Sequence, residues 1–329
     1  MPKIVRICLA AVFCFLLVGV AVYANSRAHF MSAPVWDDGM YTIVTLDERR
    51  QGLDIRGTVP EILETFGPEY ASLNEQLDSM VDTLIEGTRR IRARSVTFDY
   101  KIEHTNNLIS IVIYANARAV TDRTTVLSLN FDRRGKRTTL TQAIGLNITP
   151  LAEGKIAEMI RQNPATYYAA FNAPPTGQAF YITNSHLVLL FDEFQLSSRP
   201  GGTSRIQFQL ENIRSYTLSP QNIRMSTGRY AIRMIPLRTV LEGLGYDVDW
   251  CQTEREATVS LHGETVIVLR PNVNNYQVQG ILQRSLESAP TMHRGNMYVP
   301  ISFFDQVLYL TAFSINPSGE IVFISYLGR

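Results

Sequence analysis

The segment over residues 234–250 constrains the fold more than any other, because it contains the pattern of a strand end, a short helix and a second strand. Pro236 suits the first helical position, where its missing N–H has no helical partner to lose. Apolar residues follow at the i, i+3, i+4, i+7 spacing of one helical face, namely Leu237, Val240, Leu241 and Leu244. Gly245 is predicted to end this helix, since glycine adopts a positive φ without strain.

A weaker copy of the same pattern begins at residue 298, and the separation from Pro236 to Pro300 is 64 residues. The apolar stripe of this second copy consists of Ile301, Phe304 and Leu308. Two copies of one strand–helix–strand unit predict a small C-terminal domain that is built by internal duplication.

The N-terminal segment determines the expected compartment. Lys3 and Arg6 precede an apolar run over residues 7–22, which ends in the small-residue pattern Val22-Tyr23-Ala24. This order is typical of a secretory signal peptide over residues 1–24, and the run of 16 residues is shorter than the ~20 that span a bilayer. An uncleaved N-terminal anchor is the alternative. Either interpretation predicts a protein that is secreted or held at the extracellular face of the cell membrane or cell wall.

Composition excludes some classes of partner and constrains how the fold is stabilised. The formal net charge of +1 over 329 residues provides no basic surplus for binding nucleic acid. A hydrophobic content of 45% is ordinary for a globular protein and is enough for a sizeable core. Only Cys251 lies outside the predicted signal peptide, so the mature chain is predicted to fold without an intrachain disulfide.

The remaining patterns divide the chain into two folded parts. Residues 25–40 are polar and lack periodicity, which predicts a tether. Residues 41–215 contain period-2 strands and two helical stripes and are predicted to form one domain. Residues 216–229 contain Pro220 and are predicted as a linker to a second domain over residues 230–329. The predicted fold class is α+β, with two domains that are each a mostly antiparallel sheet with a few helices.

No arrangement of residues in the sequence indicates catalysis. The five histidines, at positions 29, 104, 186, 262 and 293, are not at the spacing of metal ligands. The sequence also lacks a Gly-x-Ser-x-Gly elbow and a glycine-rich phosphate loop. The protein is therefore predicted not to be an enzyme, with no catalytic residues, no cofactor and no metal ligands.

Loops with aromatic and charged residues are the candidates for ligand binding, because loops commonly carry binding function. The candidate residues are Tyr167, Tyr168, Asp192, Glu193 and Arg199. Asp192 and Glu193 interrupt an apolar strand, but adjacent strand residues point to opposite faces. The two carboxylates of a glycosidase instead face each other about 5–10 Å apart. An ordinary strand end is therefore the alternative for this pair.

A run of cations over residues 133–137 surrounds Gly135, which marks a tight turn. The run suits contact with anionic wall polymers. The solvated tip of a hairpin is the alternative.

Several motifs in the C-terminal part together carry a family resemblance. They are Ile235-Pro236-Leu237-Arg238, Leu244-Gly245, Val248-Asp249-Trp250, and the stretches over residues 276–280 and 295–301. On these motifs, residues 230–325 resemble the copper amine oxidase N-terminal-like domain of surface proteins of Gram-positive bacteria. The second half departs from that pattern at Ser302, where the family has Arg, and at Leu310-Thr311, where it has Leu-Gly. The resemblance implies a non-catalytic module.

A second resemblance rests on the order of elements over residues 50–215. Its motifs are Leu73-Asn74, Asn130-Phe131-Asp132, Gly135-Lys136, Leu140-Thr141 and the stretch over residues 187–191. This region is similar to the paired domains of unknown function in the ectodomain of the lysozyme-sensing anti-sigma-V factor, which also precede the catalytic domain of a peptidoglycan deacetylase. A Gly-Gly-Ala-His segment of that family is missing, and Ala117-Arg118-Ala119-Val120 lies near its place.

The export signal, the two appendage-like modules and the lack of catalytic groups predict a non-enzymatic protein of the bacterial envelope. Its expected partner is peptidoglycan or another wall polymer, or a protein such as lysozyme. Nucleic acid is not expected, and membrane contact is expected only through an uncleaved N-terminal segment. The alternative is a cell-wall hydrolase or deacetylase, or an accessory to one. A regulatory ectodomain that acts through a partner is a third interpretation.

Overall fold

The computed structural model describes residues 30–31, 40–63, 70–168, 177–226, 230–278, 282–308 and 311–328. The predicted signal peptide over residues 1–24 lies outside these ranges. Of the predicted tether, Phe30–Met31 form a short strand. Within the described residues, no helix combines the length and the apolar character that crossing a membrane requires.

The largest sheet has six strands that lie side by side in chain order. They are β1 (Phe30–Met31), β2 (Tyr41–Arg50), β3 (Leu53–Ile62), β4 (Ser95–His104), β5 (Leu108–Arg118) and β6 (Arg123–Asp132). Only β3 and β4 are parallel among these neighbours. A parallel pair needs a crossover connection, and helix α1 (Ala71–Arg90) supplies it.

Helix α1 covers one face of this sheet with one of the two helical stripes that the sequence predicts within residues 41–215. Leu73, Leu77, Val81 and Leu84 are buried in one core with residues of the sheet, and Met80 is partly buried against it. The helix begins at Ala71, and residues 64–69 before it lie outside the described residues.

A second sheet, which is antiparallel and has three strands, packs against the six-stranded sheet. Helices α2 (Leu140–Ile144) and α3 (Thr149–Gln162) precede its strands β7 (Ala179–Ile182), β8 (His186–Phe191) and β9 (Ser204–Gln209). Alternate residues of β8 enter two cores. Leu187 and Leu189 pack with α3, whereas Val188 and Leu190 pack with Val112 of the six-stranded sheet. This sheet is therefore a middle layer, which explains its continuous apolar sequence.

In its described residues, the C-terminal part contains two short α-helices and three sheets. Its strands are β10 (Ile213–Leu218), β11 (Arg224–Met225), β12 (Arg233–Pro236), β13 (Asp247–Cys251), β14 (Glu256–Leu261), β15 (Glu264–Leu269), β16 (Tyr276–Val278), β17 (Leu282–Arg284), β18 (Thr291–His293), β19 (Asn296–Pro300), β20 (Thr311–Ile315) and β21 (Ile321–Tyr326). Helix α4 (Leu237–Gly243) follows β12, and helix α5 (Phe303–Gln306) follows β19. The sheet orders are β11-β12-β19-β18, β13-β14-β15-β16-β17 and β10-β21-β20.

The predicted internal duplication is visible in the pairing of β12 with β19. Ile235 lies opposite Val299 in this antiparallel pair, and the two residues are 64 positions apart. Equivalent residues of the two copies therefore meet across a local two-fold axis. The fold class is confirmed as α+β with mostly antiparallel sheets.

The residues predicted as a linker begin inside a strand. Strand β10 pairs with β21, from Ile213 opposite Tyr326 to Leu218 opposite Ile321. The stretch over residues 216–229 also contains a 3-10 turn at Pro220–Asn222 and strand β11. Residues 216–226 of this stretch therefore contain regular secondary structure. The division into two domains stays a prediction.

Strand β21 joins the two main parts of the molecule, because both of its faces are buried. Ile321 and Phe323 belong to the C-terminal core, whereas Ile324 and Tyr326 pack with α3 and β8. The Tyr326 hydroxyl accepts a hydrogen bond from the Gln209 backbone N–H at 3.3 Å. The last strand of the chain is therefore part of two cores.

Candidate functional site

The two candidate carboxylates bind backbone groups at the edge of the six-stranded sheet. Asp192 Oδ1 accepts from the Val126 N–H at 2.8 Å, and Glu193 Oε2 accepts from the Thr124 N–H at 2.9 Å. The Glu193 N–H donates to the Thr124 carbonyl at 2.9 Å. Strand β6 is an edge strand of its sheet, and edge N–H groups that stay unpaired invite pairing with other chains. This acidic pair therefore covers part of an exposed sheet edge.

Glu193 also holds the following loop, since its Oε1 accepts from the Gly201 N–H at 3.0 Å and the Gly202 N–H at 3.1 Å. Burial opposes ionisation of Glu193, but these backbone hydrogen bonds outweigh it and hold the pKa of its carboxyl below the ordinary value. Burial raises the pKa of Asp192, against the bond from Val126. Both carboxylates therefore accept hydrogen bonds from backbone N–H groups of the protein itself.

The two candidate tyrosines lie on a segment that pairs with the same loop. Tyr167 forms an isolated bridge with Ser197, and the Tyr168 N–H donates to the Leu196 carbonyl at 3.1 Å. The Tyr168 side chain is 42% exposed, and Arg199 is also exposed. The structure therefore brings the five candidates into one region, where the side chains of Tyr168 and Arg199 are exposed and Tyr167 is partly buried against the core that contains α3. Their role in binding a ligand stays a prediction.

A separate cavity of about 360 Å³ lies between β6, α2, α3 and β7. We call it the threonine cavity. Its polar lining residues are Ser128, Asn130, Arg137, Thr138, Thr139, Thr141, Thr149 and Gln178. Its apolar lining includes Leu140, Ala152, Phe180 and Leu189. Among the described residues that line it, there is no carboxylate and no histidine.

The wall of the cavity is built by hydrogen bonds between β6 and β7. The Asn130 Nδ2 donates to Ser128 Oγ and to the Phe180 carbonyl, both at 3.2 Å. The Phe180 N–H in turn donates to Ser128 Oγ at 2.9 Å. Thr139 caps helix α2 through reciprocal bonds with Gln142, which fixes the threonine run at the helix start.

Two buried amide oxygens of the lining residues have no hydrogen-bond partner among the described residues. They are Asn130 Oδ1 and Gln178 Oε1. The orientation of the Asn130 amide is assigned from its contacts, because the reverse orientation would set its oxygen against the Phe180 carbonyl. Gln178 Nε2 likewise donates to the Leu190 carbonyl. An unpaired buried acceptor costs about 1–3 kcal/mol, so both oxygens favour a ligand that donates.

Arg137 adds a positive charge to this cavity. It is exposed and belongs to the cationic run over residues 133–137, where Gly135 takes a left-handed φ of 72°. Sequence reasoning named Asn130 and Thr141 only as parts of a resemblance, and it did not single out Gln178. The available signal was the pair Ser128 and Asn130 on one face of β6, at the period-2 spacing of a strand.

A further cavity of about 440 Å³ lies at the C-terminal sheet that contains the local two-fold axis. Exposed apolar residues line it, among them Met225, Tyr230 and Met292. Arg224, Glu287 and His293 add charge or titratable groups. Throughout the described ranges, no group of three or more His, Cys, Asp or Glu residues is arranged to hold a metal ion.

Parts of this chain are similar to known proteins. Residues 230–318 match the family model of the copper amine oxidase N-terminal domain, a non-catalytic domain. A crystal structure of a member of the DUF3298 family from Bacteroides fragilis is 10% identical, covers 56% of this chain and 88% of its own, and has a TM-score of 0.33. No curated protein matches the chain. The copper amine oxidase resemblance is therefore confirmed, and similarity to the anti-sigma-V ectodomain and the deacetylase stays a prediction.

Proposed function

We propose that this protein is a non-enzymatic binding protein of the bacterial envelope, secreted or tethered to the membrane. In this proposal it holds a cell-wall polymer such as peptidoglycan in the threonine cavity. The observation that carries the proposal is the cavity lining, which combines hydroxyls, two amides and one arginine. The apolar, cation-flanked start of the sequence supports export.

The size and chemistry of the threonine cavity support a sugar-containing ligand. A volume of about 360 Å³ lies at the small end of the ~300–1,000 Å³ range of ligand pockets. Hydroxyl and amide groups both donate and accept, so they suit a ligand with many hydroxyls. Arg137 suits a carboxylate of the same polymer. General acid–base chemistry needs a titratable group in reach, and the described lining offers no carboxylate or histidine for it, which favours binding over turnover.

A basic protein such as lysozyme is the second candidate ligand, and a specific surface favours it. An open groove runs between helix α1 and strand β6, and its charged lining consists of four acids and one cation, namely Glu75, Asp78, Asp82, Glu86 and Arg90. Complementary charge across an interface speeds association and selects partners. Capture of lysozyme that disappears with added salt and with Asp78→Asn/Asp82→Asn would support this candidate.

The test is retention of the chain from Asn25 onward on purified peptidoglycan at physiological salt. We expect retention by the unmodified protein and a two- to fivefold weaker interaction for Arg137→Gln, which is the ~0.5–1 kcal/mol of an exposed charge contact. Arg134→Gln is the matched control, because Arg134 lies in the same cationic run and does not line the cavity. Absence of retention, or turnover of a wall substrate by the purified protein, would contradict the proposal.

A further inference from the structure

We propose that the threonine cavity recognises the acetamido group of N-acetylated sugars. This inference rests on the proposed function and specifies which part of the wall polymer the cavity binds.

The first step concerns the two unpaired amide oxygens. Asn130 Oδ1 and Gln178 Oε1 are neutral acceptors, so they need a donor N–H or O–H to be satisfied. A cationic donor would be buried without a counter-charge, because the described lining of the cavity has no carboxylate. The cavity therefore selects a neutral donor.

The second step concerns the apolar lining beside these oxygens. Leu140, Ala152 and Phe180 line the same cavity as Asn130 and Gln178. A ligand that offers only hydroxyl groups would bring no apolar group to pack against this surface. An acetamido group offers an amide N–H, a carbonyl and a methyl group within a few bonds, so it matches the acceptors, the hydroxyl donors and the apolar surface together.

The third step concerns access to the oxygens. Both are covered from solvent, so a ligand reaches them only after an amide side chain rotates. Asn130 is 3% exposed and its amide is held by Ser128 and the Phe180 carbonyl. Gln178 is partly exposed and follows Gly177 at the start of β7. Gln178 is therefore the side chain expected to move and to accept from the ligand, whereas Asn130 stays in place as part of the cavity wall.

The experiment compares three oligosaccharides of equal length by isothermal titration calorimetry with the chain from Asn25 onward. They are an oligomer of N-acetylglucosamine, the same oligomer with free amines, and an oligomer of glucose. We expect the acetylated oligomer to bind at least about tenfold more tightly than either of the others, since both lack the amide N–H and the methyl group.

Gln178→Met tests the proposed contact within the protein, because it removes the acceptor and keeps a side chain of similar length. We expect it to remove most of the preference for the acetylated oligomer. Gln162→Met is the matched control, since Gln162 is exposed on helix α3 and lies outside the cavity lining, and it should leave the preference unchanged. Circular dichroism reports whether each variant is folded. If Gln178→Met does not fold, the ligand series with the unmodified protein decides.

The outcomes separate this inference from the proposed function. Retention on peptidoglycan together with equal affinity for the three oligomers would overturn the acetamido inference and leave the proposed function standing. Tighter binding of the free peptide part of peptidoglycan than of any of the three oligomers would also overturn the acetamido inference. Failure to bind whole peptidoglycan would reject both.

Discussion

The two halves of the C-terminal duplication differ in the origin of their third strand. In the first half, β13, β14 and β15 follow one another, and β15 returns through a two-residue turn at His262 and Gly263, which have φ of 52° and 77°. Positive φ at both positions is the geometry of a tight hairpin. In the second half, β20 and β21 follow one another, but the strand beside β21 is β10, which precedes the whole duplicated unit.

This difference shows that one strand–helix–strand unit can be completed either by its own hairpin or by a strand from elsewhere in the chain. The matched family model begins at residue 230, so β10 lies outside the family's pattern although it completes the sheet. The second half is therefore expected to depend on residues that its own repeat does not contain.

The largest expected effect is the loss of stability on removal of β10. We compare a fragment over residues 211–329 with one over residues 219–329, which keeps β11 and lacks β10. The shorter fragment loses six residue pairs with β21 and the fully buried side chain of Leu218. We expect its free energy of unfolding to be lower by at least ~3 kcal/mol in urea denaturation, from one leucine and several hydrogen bonds.

A synthetic peptide over residues 211–222 provides the control for this comparison. It should restore stability to the shorter fragment and leave the longer fragment unchanged. Equal stability of the two fragments would show that β10 is dispensable and that the two halves are completed independently.

A loss of stability of intermediate size is expected at the contact between β10 and helix α4 of the first half. Gly243 lies at the end of α4, and a Cβ at this position would overlap the ring of Tyr216 on β10. The equivalent position in the second half, 64 residues later, is the buried Val307. We expect Gly243→Ala to lower the free energy of unfolding by ~1–3 kcal/mol through overpacking, despite the better helix propensity of alanine.

A double-mutant cycle with Tyr216→Ala distinguishes this contact from a general effect on α4. If the ring of Tyr216 is the cause, Gly243→Ala should be neutral or stabilising once that ring is removed. Additive losses in the double variant would contradict the packing of β10 against α4.

The sequence predicted those helices and strands whose apolar periodicity lies within one continuous segment of the chain. The stripe of α4 is buried as predicted at Leu237, Val240 and Leu241, although the helix begins one residue after Pro236. The second copy is shorter: Phe304 and Leu308 are buried, but Ile301 is only partly so, and Phe303 contributes to the core instead. These predictions succeeded because burial and helix period are local properties.

Long-range pairing was not readable from the sequence. The stretch over residues 213–218 has apolar residues at positions 213, 216 and 218 without a continuous period-2 alternation. No local pattern indicates that it pairs with β21, about a hundred positions later. The candidate site shows the same limit. Asp192 and Glu193 were visible as an acidic pair, but their partners on β6 are backbone N–H groups. Likewise, Asn130 and Gln178 line one cavity only because β6 and β7 pack together.

The smallest expected effects concern the position where the second half departs from the family pattern. In the first half, Arg238 pairs with Glu242 at 3.7 Å, and both side chains are about half exposed. In the second half, the equivalent Ser302 is 9% exposed and its hydroxyl donates to Glu287 Oε1 at 2.7 Å. We expect Ser302→Ala to lower the free energy of unfolding by ~1 kcal/mol and Glu242→Gln by no more than ~0.5 kcal/mol.

Urea denaturation of the two variants at low and at high salt measures this contrast. Salt should reduce the small effect of Glu242→Gln, because an exposed ion pair is screened, and it should leave most of the effect of Ser302→Ala. A larger effect for Glu242→Gln than for Ser302→Ala would reverse the comparison. The surface ion pair of the first half would then stabilise the unit more than the buried hydroxyl that replaces it in the second.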